Sequence, residues 1–559
     1  MPIVECVPNF SEGRNQAVID QITRAIGAVE GVTLLDVDPG AATNRTVVTF
    51  VGEPEAVLEG AFQGIAMAAQ VIDMRLHTGE HARMGATDVC PFVPVSGITM
   101  EECAELARRL GKRVAEELNI PVYLYEAAAS TPERTNLADI RKGEYEGLAA
   151  KLKDPKWAPD FGQPVFNAKS GATVTGAREF LIAYNVNLNT RDRRLANDIA
   201  FSVREMGRAK RDAQGEILRH PDGTSIKIPG RCKAVKGIGW FIEEYDRAQV
   251  SMNLVDMNVT PPHLAFDVTE EEAQKRGVRV TGSELVGLIP LQAMVDAGRH
   301  YLKKQGRSTG IPVRQIVETA IQSLGLRELG PFDPDEKIIE FRLAREGEAK
   351  KLVSRTVTGF VDELSTDSPA PGGGSVAALC GGLAAALAGM VANLTVGRAG
   401  QEDVWARMAE IADQAQAAKD LMLQAVDDDT NAFNAVMAAI RMKAATPEEM
   451  EAKNAALRDA NRGATLVPLS VLEATPAILE LAKETAEHGN PNSVSDAGVA
   501  GLAARACAEG AYYNVLINLG GITGDEAWVK ETRARAEEAL PACRSGGDAL
   551  RSVVMGTLG

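Results

Sequence analysis

The pattern of apolar residues changes near residue 341, and this change restricts the folds that the chain can adopt. Before it, short apolar runs alternate with segments of helical periodicity, which is the pattern of α/β proteins. After it, long Ala-, Leu-, Met- and Val-rich helical segments follow one another with almost no strand pattern. We therefore predict α/β structure over residues 1–341, a charged linker over 342–354 and an all-α helical bundle over 355–559. Because the two parts differ in class, we expect two functions.

The α/β part is predicted to contain two subdomains, residues 1–171 and 172–341. In the first, a capping box at Thr99-x-x-Glu102 opens a helix that ends near Leu118. The other elements predicted there are strands at residues 3–7, 32–37, 45–51 and 122–126 and helices at 15–29 and 55–72. This strand-helix-strand-strand-helix-strand order resembles a ferredoxin-like α/β sandwich.

The second subdomain mixes strands and helices in the same way. Strands are predicted at residues 180–187 and 249–257 and a helix at 191–204. Thr269-x-x-Glu272 is predicted to cap a further helix that stops at Gly277. A polar insertion near residues 211–226 is interpreted as a hairpin or a flexible loop. We therefore predict a second ferredoxin-like sandwich.

Charge and cysteine content limit the partners and the compartment. The net charge of −16 is spread along the chain, which argues against nucleic-acid binding. Seven cysteines, an odd number with no CxxC pair, indicate reduced thiols and a cytoplasmic location. The N-terminal residues lack the segments of a secretory signal, and the apolar run at residues 376–391 is shorter than a bilayer span. We expect neither nucleic acid nor a membrane as a partner.

Two of the six histidines lie four residues apart, at His77 and His81, with Glu80 beside the second. The segment from there to residue 92 contains glycine and no periodic pattern, so we predict a functional loop in which histidine does acid/base chemistry. The same residues spell H-x-x-E-H, whose two imidazoles would share one face of a helix and could bind zinc. That alternative needs a continuous helix, and Gly79 inside it is unfavourable by about 1 kcal/mol. A structural role for both histidines is the third interpretation.

Polar residues at predicted strand ends supply the other candidates of the α/β part. Asp38 is either a turn former or an anion that orients an imidazole or balances a cationic substrate. Residues 9–11 follow the first strand. The polar loop at residues 169–178 either binds a carboxylate or a heterocycle edge or is a solvated linker. A basic region at residues 208–236 is either a solvated face or attracts a polyanionic ligand tail.

The helical part contains three candidate motifs. Residues 369–375 place prolines and glycines directly before an Ala-rich helix, which makes either a backbone cradle for a ligand or a tightly packed turn. No G-x-x-x-x-G-K-[ST] pattern is present, which argues against nucleotide hydrolysis. Adjacent helix residues are about 100° apart, so Asp427, Asp428 and Asp429 cannot share a face. One of them in a desolvated cleft would be a general acid/base, and a surface acidic cluster is the alternative. Asn514 lies in an apolar helix, where its amide is structural or contacts a ligand.

Six segments resemble those of known folate enzymes. Residues 4–13, 79–92 and 171–178 are similar to segments of glutamate formiminotransferase. Residues 371–375, 426–429 and 513–519 are similar to segments of formimino-tetrahydrofolate cyclodeaminase. Their order is that of the bifunctional formimidoyltransferase-cyclodeaminase family, and the resemblance covers nearly the whole chain. The chain departs from the family in reading Asp427-Asp428-Asp429 for Asp-Ala-Asp and in the insertion near residues 211–226.

The resemblance implies two successive reactions of histidine degradation. In the first, His81 would help to move the formimino group from N-formimino-L-glutamate to nitrogen-5 of tetrahydrofolate, and Asp38 would balance the amidinium charge. In the second, Asp429 would be the acid/base group that closes the product onto nitrogen-10 with release of ammonia. It further implies tetrahydrofolate as co-substrate, (poly)glutamylated folate as a partner, and a homo-oligomer. No metal is expected, because both steps need only proton transfer and no ligand set completes around His77 and His81. The residues expected at the folate sites are Asn9, Lys169, Ser170, Gly171, Ala172, Thr173, Arg178, Gly372, Gly373, Gly374, Ser375, Asp427 and Asn514.

Two functions of other classes stay open at this point. One is a zinc hydrolase with His77 and His81 as ligands, which stoichiometric zinc in the purified protein would support. The other is a non-catalytic folate-binding scaffold fused to a helical oligomerisation module. Proton-transfer groups in both parts of the sequence argue against the scaffold.

Overall fold

The structure is a computed structural model that describes residues 2–40, 44–79, 82–348 and 351–559. The chain is organised as two compact units, Met1–Pro290 and Leu291–Gly559. The first is α/β and the second is helical, which confirms the predicted fold classes. A helix at Ile339–Glu348 runs through the first half of the predicted linker, and the predicted domain boundaries stay a prediction.

A seven-stranded sheet forms the first half of the first unit. Its strands are β1 (Ile3–Cys6), β2 (Asn9–Phe10), β3 (Val32–Gly40), β4 (Arg45–Gly52), β5 (Thr87–Ser96), β6 (Val122–Glu126) and β7 (Thr173–Ala177). β1 and β2 both lie between β4 and β5, and β3 pairs with β4. The three long helices of this half are α1 (Gln16–Gly27), α2 (Pro54–Val71) and α3 (Met100–Leu118), of which α3 has the predicted capping box at Thr99. They pack on alternate strand residues such as Val4, Phe50 and Phe92.

The ferredoxin-like order is completed by β5, which the sequence pattern does not reveal. β1, α1, β3, β4, α2 and β5 form that unit, while β7 and β6 extend the sheet through parallel pairing. The prediction that residues 122–126 are the fourth strand of the unit is therefore wrong, and so is a loop at residues 87–92. Residues 87–93 are all buried, and a strand buried on both faces shows no alternation of polar and apolar residues. Pro91 and Pro94 further weaken the strand signal.

A four-stranded antiparallel sheet forms the second half of the first unit. Its elements are β8 (Ile182–Leu188), α6 (Arg193–Val203), β11 (Val235–Ile242), β12 (Arg247–Leu254), α7 (Pro262–Gln274) and β13 (Val280–Val286). The strand order β11, β12, β8, β13 is again ferredoxin-like. Two short helices of the first half, α4 (Leu137–Arg141) and α5 (Glu144–Lys151), precede this sheet in the chain.

In this half of the unit, the structure contradicts the predicted helix cap at Thr269 and shows that the polar insertion is a hairpin. Thr269 does not cap a helix: α7 begins at Pro262, and Thr269 is buried inside it and donates a hydrogen bond to the Ala265 carbonyl at 2.7 Å. A Thr hydroxyl can bond back to the carbonyl four residues earlier, so a capping pattern in sequence also occurs inside helices. The insertion is a hairpin, in which β9 (Arg208–Ala209) pairs with β10 (Lys227–Ile228).

Ten α-helices make up most of what the structure describes of the second unit. They are α8 (Leu291–Lys304), α9 (Val313–Leu324), α10 (Pro334–Lys337), α11 (Ile339–Glu348), α12 (Val357–Leu364), α13 (Gly373–Thr395), α14 (Trp405–Ile440), α15 (Pro447–His488), α16 (Val494–Leu519) and α17 (Glu526–Leu558). Small residues bring α13 close to its neighbours, since Gly381 lies against Met422 and Cys507. α13 and α15 are long and apolar enough to cross a membrane by length and composition, but 61% of the apolar window of α13 is buried within the protein.

Candidate active sites

The three segments of the α/β part that carry the resemblance meet at one end of the first sheet. Ser11 donates its hydroxyl to the Gly85 carbonyl at 2.7 Å, and the Ala86 amide donates to the Ser170 carbonyl at 2.9 Å. Gly171 has a φ of +68°, and a Cβ there would overlap the backbone of residues 84 and 85. Glycine is needed at this position on both counts, because the backbones approach closely and φ is positive.

The histidine loop joins this site through His77. The imidazole Nε2 lies 2.8 Å from the Asn44 carbonyl oxygen, and the Arg83 Nε–H donates to Nδ1 at 3.2 Å. Since an arginine cannot accept a hydrogen bond, Nδ1 must be the acceptor and Nε2 must bear the hydrogen. Both ring nitrogens of His77 are thereby engaged in hydrogen bonds. Glu80 and His81 lie outside the described residues, so the catalytic role of His81 stays a prediction.

Arg83 is buried and links His77 to two carboxylates. Its guanidinium donates to Glu146 at 2.7 and 2.9 Å and to Glu144 at 3.1 Å. The hydrogen bond with Glu146 raises the pKa of Arg83, so the cation is firmly held. Asn44 supports the other side of His77, because its amide donates to the Thr78 carbonyl at 2.9 Å. The residues on both sides of the His81 segment are thus tied by hydrogen bonds, around an open cavity of about 440 Å³.

These contacts bear on the zinc alternative. A zinc ligand needs a free imidazole lone pair, and the lone pair of His77 accepts from Arg83. Over residues 2–40, 44–79, 82–348 and 351–559, no group of three or more His, Cys, Asp or Glu side chains could hold a metal ion. The expectation that no metal takes part stays a prediction, because His81 and Glu80 are not described.

An arginine cluster that no sequence pattern indicates lies beside Asp38. Asp38 is exposed on β3, opposite Val47 of β4, and is an electrostatic neighbour of Arg45. Burial, and then the nearby cation of Arg141, lower the pKa of Arg45, while Asp88 and Asp38 raise it. Asp88 is buried and forms an ion pair with Arg141. Two arginines and two aspartates therefore share one region, in keeping with a site for charged groups.

The other residues predicted at the first folate site have unequal surroundings. Asn9 donates its amide to the Val7 carbonyl at 3.1 Å, and Lys169 donates to the Gln70 carbonyl at 2.7 Å. Ser170, Gly171, Ala172 and Thr173 are buried in the backbone contacts at the start of β7. Arg178 lies at the other end of β7, so the structure does not bring it together with them. It lines a separate cavity of about 200 Å³ with Glu5.

The candidate motifs of the helical unit meet at the N-terminus of α13. Gly372 caps this helix, and a Cβ on Gly374 would overlap the Asp429 carboxylate. Ser375 donates its hydroxyl to Asp429 Oδ2 at 3.1 Å. Asn514 of α16 lies against Gly373, with its amide nitrogen 3.4 Å from where a Cβ would be. The glycine turn, Asp429 and Asn514 thus form one site, although they are far apart in sequence.

The three neighbouring aspartates have three different environments. Asp427 accepts a hydrogen bond from the Leu352 amide at 2.7 Å, and Asp428 accepts one from Gln424 at 2.9 Å. Asp429 alone of the three lies at the glycine turn. Burial raises the pKa of Asp429, and hydrogen bonds from the hydroxyl and amide of Ser375 act in the opposite direction. Asp429 is therefore placed to take up a proton closer to neutral pH than an ordinary exposed aspartate.

The chain thus has two separate candidate sites, one at the end of the first sheet beside His77 and one at the glycine turn that Asp429 approaches. Family models match most of the chain: the N-terminal subdomain of the formiminotransferase domain at residues 3–178, the formiminotransferase domain at 183–344, and formiminotransferase-cyclodeaminase at 356–538. The chain belongs to the formimidoyltransferase-cyclodeaminase family, which confirms the resemblance seen in the sequence.

Curated relatives agree with this assignment. The formimidoyltransferase-cyclodeaminase of Mus musculus is 45% identical over 557 residues, covering 100% of this chain and 98% of the relative. The glutamate formimidoyltransferase of Streptococcus pyogenes serotype M1 is 44% identical over 301 residues, 54% of this chain and 93% of the relative. The methenyltetrahydrofolate cyclohydrolase of Methylorubrum extorquens is 37% identical over 187 residues, 34% of this chain and 86% of the relative.

Proposed function

We propose that the chain transfers the formimino group from N-formimino-L-glutamate to tetrahydrofolate and then closes the product to 5,10-methenyl-tetrahydrofolate with release of ammonia. The observation that supports this proposal is the buried Asp429 carboxyl at the glycine turn of α13, in a chain whose full-length relatives have both activities in their names. A scaffold protein has no need of a buried carboxyl held at a glycine turn. A zinc hydrolase would need the His77 lone pair that Arg83 occupies.

In the first reaction, nitrogen-5 of tetrahydrofolate attacks the amidine carbon of formiminoglutamate. Nitrogen-5 loses its proton, and the glutamate nitrogen gains one as its bond to carbon breaks. The His81 imidazole is proposed to take and return this proton, since its usual pKa is near neutral pH. Asp38 would lie near the positive amidinium, and the hydrogen bonds of His77 and Arg83 would hold the loop.

In the second reaction, nitrogen-10 attacks the same carbon within one molecule, so no second substrate must be positioned. Asp429 as a carboxylate would take the proton from nitrogen-10. The carboxyl would then give that proton to the amino group on the carbon, which leaves as ammonia. One positive charge enters with the amidinium and one remains on the methenyl product, so the proton count balances.

The test follows glutamate, ammonia and the methenyl chromophore separately with the full chain. His81→Ala should abolish glutamate release but still cyclise supplied 5-formimino-tetrahydrofolate. Asp429→Asn should release glutamate normally and accumulate 5-formimino-tetrahydrofolate, because ammonia release falls by about 10²–10⁴ without the acid/base group. Ammonia release at the wild-type rate by Asp429→Asn would contradict the proposal.

Several finer points belong to the same proposal. We propose tetrahydrofolate as co-substrate without a metal, which predicts activity that survives exhaustive chelation. We propose a preference for polyglutamylated folate, which Lys233→Ala and Lys236→Ala would reduce if the basic region attracts the tail. A cytoplasmic location is proposed from the seven cysteines, which are all free thiols.

A homo-oligomer is also proposed. Val499, Leu502, Met555 and Leu558 of α16 and α17 surround a cavity of about 300 Å³ and are largely open to solvent, with Leu502 66% exposed. An apolar patch of this kind is typical of a protein–protein interface. Sedimentation of the wild type and of Leu502→Lys would test whether this surface joins subunits.

A further inference from the structure

Ser375 has an unusual position for a residue of a ligand site, because it is completely buried. Its exposed fraction is 0%, so its side chain has no surface with which to touch folate. The hydroxyl lies 2.9 Å from the Val426 carbonyl oxygen, 3.1 Å from Asp429 Oδ2 and 3.3 Å from the Thr430 hydroxyl. A hydroxyl carries one hydrogen, so it can donate to only one of these acceptors at a time.

The Asp429 carboxylate is held against the start of α13 from two directions. The backbone amide of Ser375 donates to it as well as the hydroxyl. The absence of a side chain at Gly374 lets the carboxylate come this close. Backbone N–H groups at a helix N-terminus favour an anion, whereas burial favours the neutral acid. The protonation of Asp429 is therefore decided by a balance in which Ser375 takes part.

We propose that Ser375 is a positioning residue of the ring-closing step, whose hydroxyl donates to Asp429 Oδ2 while Asp429 is a carboxylate and turns to the Val426 carbonyl when Asp429 takes up the proton. The inference rests on the proposed function of Asp429. It gives Ser375 a role that is different from contact with folate. The hydroxyl would follow the charge of Asp429 without any movement of the backbone.

The neighbours of Asp429 leave Ser375 as the group that sets this balance. On α14 itself, Asp427 is bonded to the Leu352 amide and Asp428 to Gln424, and Thr430 adds a neutral hydroxyl 3.3 Å from the Ser375 hydroxyl. From α16 the nearby group is Asn514, whose amide is neutral and donates to the Gly510 carbonyl at 2.8 Å. From α13 come the glycine turn and Ser375. The causes that act on the pKa of Asp429 are burial, the Ser375 hydroxyl and the Ser375 amide.

The test is the pH dependence of ring closure by the full chain with supplied 5-formimino-tetrahydrofolate. Ser375→Ala removes a donor to the carboxylate, so Asp429 should bind its proton more tightly. The acid limb of the pH–rate profile should move upward by about one pH unit. Ser375→Cys, which nearly keeps the volume and is a weaker donor, should move the limb less in the same direction.

Two controls separate this role from a structural one. Thr475→Val removes another fully buried hydroxyl of the helical unit, one that donates to the Val471 carbonyl at 2.8 Å, and should leave the limb where it is in the wild type. Circular dichroism and thermal unfolding of each variant report on the folding of the helical unit, in which Ser375 and Thr475 both lie. A uniform loss of rate with an unmoved acid limb in Ser375→Ala would overturn the inference.

The remaining outcomes are also decisive. If Ser375→Ala is inactive at every pH, Ser375→Cys provides the test instead. An acid limb that moves upward in Ser375→Cys supports the inference, and an unmoved limb overturns it. If the wild type itself shows no ring closure, the proposed function fails, and the inference fails with it. If the wild type is active and neither variant moves the limb, the inference alone is wrong.

Discussion

Glu5 offers a large pH-dependent effect on stability for a single buried carboxyl. It lies on β1 with 4% of its surface exposed, in the cavity that it lines with Arg178. Burial raises the pKa of Glu5 from 4.5 to about 7, and the positive charge of Arg178 lowers it by less. A carboxyl in this position is favoured as the neutral acid.

The sign and size of the effect follow from linkage. The pKa of Glu5 is higher in the folded than in the unfolded protein. The folded state therefore has its full stability below pH 4.5, where Glu5 is the neutral acid, and loses part of it as the pH rises through about 7. A rise from 4.5 to about 7 corresponds to about 3 kcal/mol, since each pH unit is worth about 1.4 kcal/mol. Glu5→Gln has the same shape and no charge to bury. Its stability relative to the wild type should therefore increase by about 3 kcal/mol between pH 4.5 and about pH 8.5.

Urea unfolding of the full chain at about pH 4.5, 7 and 8.5 would measure this difference. Trp157 and Trp240 lie in the first unit, and a background with Trp405→Phe and Trp528→Phe makes the fluorescence report on that unit. Glu53→Gln, at an exposed position before α2, controls for the loss of one negative charge. A difference between Glu5→Gln and the wild type that stays the same at all three pH values would refute the reasoning.

Three further substitutions test the sites. Gly374→Ala should lower ammonia release at least tenfold and spare glutamate release, because the new Cβ would overlap the Asp429 carboxylate; equal rates would count against the close approach. Asp427→Asn should keep ring closure near the wild-type rate but destabilise the protein by about 1 kcal/mol in urea unfolding, since its partner is the Leu352 amide. His77→Gln should lower kcat for transfer without removing the pH dependence of the reaction, because both ring nitrogens of His77 are engaged in hydrogen bonds within the protein. A pH-independent rate would assign the titrating group to His77.

The sequence predicts most of the fold because most elements bury only one face. The helix after Thr99 shows this, with its capping box and its apolar stripe both visible in sequence. β5 could not be recognised in this way, because its first seven residues are buried on both faces and include a proline. The prediction for Thr269 is wrong for the opposite reason. A capping pattern is present there, but tertiary packing starts α7 seven residues earlier, at Pro262.

The site is harder to predict because its partners are distant in the chain. The three adjacent aspartates point in different directions, as helix geometry predicts, and contact three different partners, Leu352, Gln424 and Ser375. Which of the three reaches the glycine turn depends on how α14 is rotated against α13, and only the resemblance to a family pointed to Asp429. The cluster of Arg45 and Arg141 has no local pattern at all, since their common neighbour Asp88 lies on a third element.

Glu5 and Asp429 show why a buried carboxyl alone does not make a proton shuttle. For Glu5, burial acts against only the nearby charge of Arg178, and the balance lies toward the neutral acid. Asp429 is also buried, yet it receives two hydrogen bonds from Ser375, and both favour the anion. A group that must take a proton and give it back needs both forms to be accessible, which requires effects that oppose each other. The glycine at position 374 makes this balance possible, because it brings the carboxylate within reach of the helix N-terminus.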